Sequence, residues 1–207
     1  MILEGIVTTL GPAGEVNVAP MGPHLPDLSA SLAFPRRDPL EHFILKPFRT
    51  ARTYLNLKTH GEGVLHVTDD MLLLAQAAVG IPDPFPPLFP AAHIRGQVLR
   101  DSCRYAEFRV LSCEEQSERA TFEVEVLHVG RLRDFFGFNR ALFAVVEAAI
   151  LATRTAFVPL NQIEVEFNRL AVPIEKTGGP RERQAFAILR AHLEAEKRRK
   201  ATEGSAL

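Results

Sequence analysis

Cysteine is scarce in this chain: Cys103 and Cys113 are the only two among 207 residues. Neither has a Cys or His neighbour at metal-ligand spacing, so they suggest no zinc site, and a disulfide between them stays open. Net charge is also close to nil, with 24 Lys and Arg against 25 Asp and Glu. A chain so balanced has no global field to attract nucleic acid or an anionic membrane, and neither is expected as a partner. Long apolar runs are missing too. The most apolar stretch, 141–152, is interrupted by Glu147 and bounded by Arg140 and Arg154, too short and too charged to span a bilayer. The opening MILEGIVTTL lacks the basic region, long apolar core and small-residue cleavage site of a secretory leader. It reads as the first strand of a cytoplasmic protein.

The common signatures of catalysis are absent as well. No Gly-x-Gly-x-x-Gly follows the first strand and no Gly-Lys-Thr phosphate loop occurs, which disfavours Rossmann and P-loop nucleotide binding. Gly-x-Ser-x-Gly is missing, and no Ser-His-Asp arrangement is legible. The histidines, at 24, 42, 60, 66, 93, 128 and 192, form no His-x-x-x-His pair, so no metal site is expected.

What is present is an ordinary globular composition, 46% hydrophobic and 24% charged, long enough for one large domain or a domain with an appendage. Residues 2–9 and 16–21 read as a hairpin around Gly11-Pro12-Ala13-Gly14. A proline-rich stretch over 22–39 holds a plausible strand at 29–34. Then follow a strand at 41–46, a helix over 51–59 ending at Gly61, and a strand at 63–68. Asp69 or Asp70 is placed to cap a helix over 71–79 that stops at Gly80. The segment IPDPFPPLFP, 81–90, holds five prolines in ten residues and reads as a stiff loop. Its Phe85 and Phe89 either tack that loop to the core or cover a ligand. Strands over 93–99, 105–114 and 120–131 suggest an antiparallel meander closing into a barrel. Asn139 opens a largely apolar helix over 140–155, on which Arg140, Glu147 and Arg154 share a stripe fit for an ion-pair ladder across a subunit interface. A last helix spans 180–200, and its basic run Lys197-Arg198-Arg199-Lys200 reads as cations favoured at a helix C-terminus.

One segment carries chemistry. Phe43 to Asn56 runs from a strand through Lys46-Pro47-Phe48 into Arg49-Thr50-Ala51-Arg52-Thr53 and a short helix. Helix N-terminal amides lack intrahelical partners and carry the positive end of the dipole. Two guanidinium groups and two hydroxyls gathered there make a dianion site, most naturally for phosphate. The competing reading makes Thr50 a simple N-cap and the arginines a solvated surface. With no nucleophile or metal in evidence, a phosphate site beside strands suits an organic cofactor that brings its own chemistry.

Four pieces in order carry a resemblance: Val16-Asn17-Val18-Ala19-Pro20-Met21-Gly22, the Arg49-Thr50-Ala51-Arg52-Thr53 turn, the helix with Asn56, and Gly61-Glu62-Gly63-Val64-Leu65-His66-Val67-Thr68. Their order and spacing resemble the FMN-binding split-barrel flavoproteins, which include flavin reductases and pyridoxamine-phosphate-oxidase-like proteins. More narrowly, MILEGIVTT, NVAPMGP, RTARTYLNL, GEGVLHVTDD and FNRALFAVVEAAILATR resemble an uncharacterised-function, DUF447-like family of archaea and some bacteria.

The resemblance implies a mainly β fold with α (α+β), an antiparallel split β-barrel of the FMN-binding type with a C-terminal helical extension. On this basis residues 1–135 form the barrel domain. Residues 136–200 form a helical extension packed on the barrel and a dimer interface, and 201–207 a flexible tail. FMN is the implied cofactor and a homodimer the implied assembly. Arg49, Thr50 and Thr53 would hold the phosphate, with Arg52 as helper. Ala19, Pro20 and Met21 would run past the flavin ring, and Val67, Thr68 and Asp69 would close the other side. His66 stands where related reductases often have Asn, so it is either a flavin contact or a packing residue. The implied function is that of an FMN-dependent oxidoreductase or flavin-reductase-like protein acting on a small substrate. A non-catalytic flavin carrier, and a module for a pterin or other phosphate-bearing cofactor, are the alternatives. No residue stands out as a catalytic acid or base.

Overall fold

The structure is a computed structural model that describes residues 1–25, 40–80 and 82–204. The strand expected at 29–34, the first residue of the proline-rich segment and the last three residues of the chain lie outside that range. The chain folds as two units, Met1–Thr68 with Pro86–Phe135, and Asp69–Phe85 with Phe136–Leu207.

The first unit is built on an antiparallel sheet. Its strands are β1 (Gly5–Leu10), β2 (Val16–Met21), β3 (His42–Leu45), β4 (Glu62–Val67), β7 (Arg104–Glu114) and β8 (Thr121–Arg131). They lie in the order β2-β1-β4-β7-β8-β3. Two short strands, β5 (Leu88–Pro90) and β6 (Gln97–Leu99), make a separate pair. The fold is α+β as expected, but the ladders do not close into a barrel. Among the described residues, single bridges from Ile2 to His24 and from His24 to Ile44 reach between the β1–β2 end and the β3 edge. The order also departs from a simple meander, because β4 inserts between β1 and β7.

Alternation explains the two faces of this sheet. Val7, Leu65, Ala106, Phe108, Phe122 and Val124 point to one side and form the main core with Phe43 and Leu45. Phe43 and Phe108 meet edge to face at 5.3 Å. Helix α1 (Arg52–His60) covers this core with Tyr54 and Leu57. It ends where Gly61 takes φ 67°, a left-handed turn that glycine adopts without strain. Val64, Val98 and Tyr105 form a second cluster, against which Phe89, Ala91 and Ile94 pack. A Cβ on Gly130 would lie 2.3 Å from the Tyr105 ring, so only glycine lets β8 pass there.

The proline-rich segment is therefore not all loop. Leu88–Pro90 pairs with Gln97–Leu99 as an edge strand, a position that tolerates a missing donor. Phe89 meets Tyr105 at 5.9 Å and so ties the segment to the core. The strand expected over 93–99 is shortened to 97–99 because residues 91–96 turn, with the Ala91 amide on the Gly96 carbonyl.

The second unit is helical: α2 (Met71–Val79), α3 (Arg140–Ala152), α4 (Leu160–Thr177) and α5 (Pro180–Gly204). Asp70 caps α2 by accepting from the Leu73 amide at 3.0 Å. Asn139 caps α3 by accepting from Ala141 at 2.8 Å. Helix α3 ends at Ala152 rather than 155, because the chain passes into turns from Thr153. Helix α4 is an addition to the expected elements; it buries Ile163, Phe167 and Ile174, and Phe167 stacks on Phe186 of α5 at 5.6 Å. The basic run is engaged within the unit, Lys197 with Glu164 at 2.6 Å and Arg199 with Glu196 at 2.8 Å. Arg140, Glu147 and Arg154 are all exposed in the single chain. Among the described residues no helix is long and apolar enough to cross a membrane.

Candidate functional site

The Arg/Thr turn is held from both ends before α1 begins. The Arg49 amide donates to the Glu118 carbonyl at 3.0 Å, and the Ala51 amide donates to Phe48 at 2.9 Å. Arg119 sits 3.8 Å over the Phe48 ring and donates to the Lys46 carbonyl at 3.1 Å. These contacts fix the direction in which α1 starts. Its N-cap is Ala51, with no side-chain cap and no acidic residue in the first turn. Thr50 is thus not the cap that the simpler reading required. Alanine offers no oxygen to the first-turn amides, so among the described residues no side chain caps the positive end of the helix.

The four expected phosphate ligands separate into two kinds. Arg49, Thr50 and Arg52 are exposed around the uncapped end. Thr53 is buried, and its hydroxyl accepts a hydrogen bond from Asn17 Nδ2 at 3.1 Å. A hydroxyl that accepts still has its own proton to donate. Asn17 also reaches Thr9 Oγ1 at 3.5 Å, where Asn56 Nδ2 donates at 2.9 Å. This polar set of buried Thr9, Thr53 and Asn56 with half-buried Asn17 joins β1, β2 and α1. Asn17 lies inside the NVAPMGP motif, but only its polar place in an alternating strand hints at this role.

Glu115, an acid close enough to feel the Arg49 charge, is already occupied. Glu115 accepts from Lys58 Nζ at 2.5 Å and from Tyr54 Oη at 2.7 Å. Those hydrogen bonds, with help from the Arg49 charge, hold the Glu115 carboxyl below its ordinary range and raise the Lys58 ammonium. The exposed Cys113 is shifted the other way: partial loss of water around its sulfur first, then the Glu115 charge, pushes its thiol up. A thiol raised in this way is a poor nucleophile. The two cysteines form no disulfide with one another; Cys103 is buried and Cys113 exposed.

The ring-facing segments fall on neighbouring strands. Pro20 pairs with Ile6 and Met21 with Gly5, while Ile6 pairs on its other side with His66. Ala19, Pro20 and Met21 are half-buried on β2 at the level where Val67, half-buried, and Thr68, buried, leave β4. Asn17 shares the Ala19 and Met21 face of the strand. The structure therefore brings Ala19 to Met21, Thr53 and the end of β4 into one region of the first unit. Asp69 belongs to the second unit, where its carboxylate accepts the Phe136 amide at 2.7 Å.

His66 is a packing residue. It is fully buried, with Nδ1 against the Ile6 carbonyl at 3.1 Å and Nε2 accepting from the Leu99 amide at 3.0 Å. Both ring nitrogens are satisfied by the backbone, which fixes the neutral tautomer. Burial drives its pKa down to about 3.

Comparison with known proteins bears on the family and the fold. The two sequence models of a protein family of unknown function, DUF447, match residues 3–133 (N-terminal domain) and 139–191 (C-terminal domain). The chain belongs to that family. An FMN-bound DUF447 protein of Methanosarcina mazei superposes with TM-score 0.75 at 17% identity, over 92% of this chain and 94% of that one. The 2-nitrobenzoate 2-nitroreductase of Pseudomonas fluorescens gives TM-score 0.50 at 15% identity, over 62% and 64% of the two chains. The flavin reductase of styrene monooxygenase from Pseudomonas putida S12 gives 0.50 at 12%, over 63% and 80%. At such identities the likeness is one of fold: the FMN-binding split-barrel type.

Proposed function

Taking membership of the DUF447 family as the premise, we propose that this chain is an FMN-binding flavoprotein, an oxidoreductase or flavin-reductase-like protein acting on a small substrate. One observation carries the reading. An uncapped helix N-terminus, free of acidic residues, is surrounded by Arg49, Thr50 and Arg52 and backed by the Thr53 hydroxyl. That donor set suits a phosphate dianion. The FMN carried by the Methanosarcina mazei relative, whose fold this chain shares, supports the same ligand.

In this reading Arg49, Arg52 and the hydroxyls of Thr50 and Thr53 hold the phosphate. Asn17 orients Thr53. The backbone of Ala19, Pro20 and Met21 runs along the ring, and Val67 and Thr68 bound the far side. Bound FMN supplies the hydride chemistry, and the protein contributes orientation and electrostatics. The chain acts as a homodimer, a reading supported by Phe136 and Phe138, which are 90% and 91% exposed in the single chain.

Mass spectrometry of the molecule released from freshly purified protein tests the cofactor. Release of FMN is expected; release of a pterin or of no flavin would overturn the reading. Bleaching of the flavin bands by NAD(P)H on a turnover timescale is the expected sign of an enzyme rather than a carrier.

A further inference from the structure

A second group of ionisable side chains lies in the first unit, on the face of the sheet that carries Tyr105. Glu107 of β7 is paired in register with His128 of β8 and is 0% exposed. Its two oxygens accept the backbone amides of Ala92 at 3.0 Å and His93 at 2.7 Å. Nδ1 of His93 lies 3.6 Å from the same carboxylate. The His93 and His128 rings stack with centroids 4.5 Å apart and planes at 25°. One ligand atom from each of these three residues lies within 4.8 Å of the other two.

We propose that His93, Glu107 and His128 form a binding site for a first-row divalent cation of the zinc class. Two imidazole nitrogens and one carboxylate oxygen are the donor set that zinc-like ions take in sites with an open position. A carboxylate removed from water calls for a compensating positive charge, and two neutral amides supply none. Ligands about 2.1 Å from a tetrahedral ion stand about 3.4 Å from one another. The His93–Glu107 separation is close to that already, and the His93 side chain is 51% exposed. The amides of Ala92 and His93 orient the carboxylate from behind, as outer hydrogen bonds do around bound metals. Exposure of His93 leaves room for water or an exogenous ligand on the ion. Histidine spacing gives no hint of the site, because its three ligands come from a turn and two different strands.

The test uses the full-length protein, treated with a chelator and then titrated with Zn²⁺ by calorimetry and with Co²⁺ by visible absorption. The wild type is expected to bind one Zn²⁺ per chain beyond what the His93→Ala/His128→Ala double variant binds. Each single variant should weaken that binding by about tenfold or more. The Co²⁺ ligand-field bands should vanish in the double variant, while its flavin content stays that of the wild type. The wild type alone gives a second measure: Zn²⁺ should protect His93 from diethyl pyrocarbonate. Equal stoichiometry and affinity in wild type and double variant, or unprotected His93 at saturating Zn²⁺, would overturn the site.

Discussion

Asn17 of β2 donates to the Thr53 hydroxyl at 3.1 Å, tying the second strand to the first turn of α1. The two residues are far apart in sequence, yet this bond sets the strand that runs along the proposed ring site against the helix that starts the phosphate site. Asn17→Ala removes it and the weaker bond to Thr9. Stability should fall by about 1–2 kcal/mol, from the lost bonds and the partly unpartnered hydroxyls left behind. Urea denaturation measures that loss, and flavin content should fall with it.

His66 makes folding stability depend on pH. In the unfolded chain its pKa is the ordinary 6.5, whereas the folded site holds it at about 3. Above the unfolded value both states carry neutral imidazole and the residue adds no slope. Between 6.5 and about 3 the unfolded chain takes a proton that the folded site refuses, so stability drops as pH falls. The slope within that window is about 1.4 kcal/mol per pH unit. Unfolding free energies from pH 7.5 to 4.5 should show this component in the wild type and lose it in His66→Gln.

Asp70 serves α2 as its cap and pairs with Arg181 of α5 at 2.6 Å, within the helical unit. Asp70→Ala should cost about 1 kcal/mol for the cap alone, and somewhat more with the pair. Asp70→Asn, which keeps the capping oxygen, should recover most of it. Thermal melts of the two variants make the comparison.

Phe136 and Phe138 are almost wholly exposed in the single chain. Light scattering should give a species of twice 23.0 kDa for the wild type. Phe136→Ser/Phe138→Ser should shift it towards monomer with the helical signal retained.

Features governed by neighbours in the chain are legible in the sequence. Gly61 stops α1, Asp70 and Asn139 start their helices, and β1 and β2 form the expected hairpin, because caps and turns depend on a few adjacent residues. Helix α4 is hidden for the same reason: Pro159 stands at its N-cap without a side-chain bond, and Pro173 sits inside it. The edge strand Leu88–Pro90 is masked by its proline, harmless where no second ladder is formed. The Arg/Thr turn is legible as chemistry, but not the burial of Thr53 nor its tie to Asn17, since those depend on which strand lies beside α1. Sheet order and the convergence of His93, Glu107 and His128 likewise come only from long-range pairing.

The central claim is that the first turn of α1 grips a phosphate, and the affinity gap between FMN and riboflavin measures it most directly. The phosphate contacts should contribute about 2–5 kcal/mol, so FMN should bind about 30-fold or more tighter than riboflavin to the stripped protein. Arg49→Ala/Arg52→Ala, two exposed substitutions, should shrink that gap to a few-fold without changing the melting temperature. Equal affinity of the wild type for both flavins, or a gap untouched by the double substitution, would contradict the account.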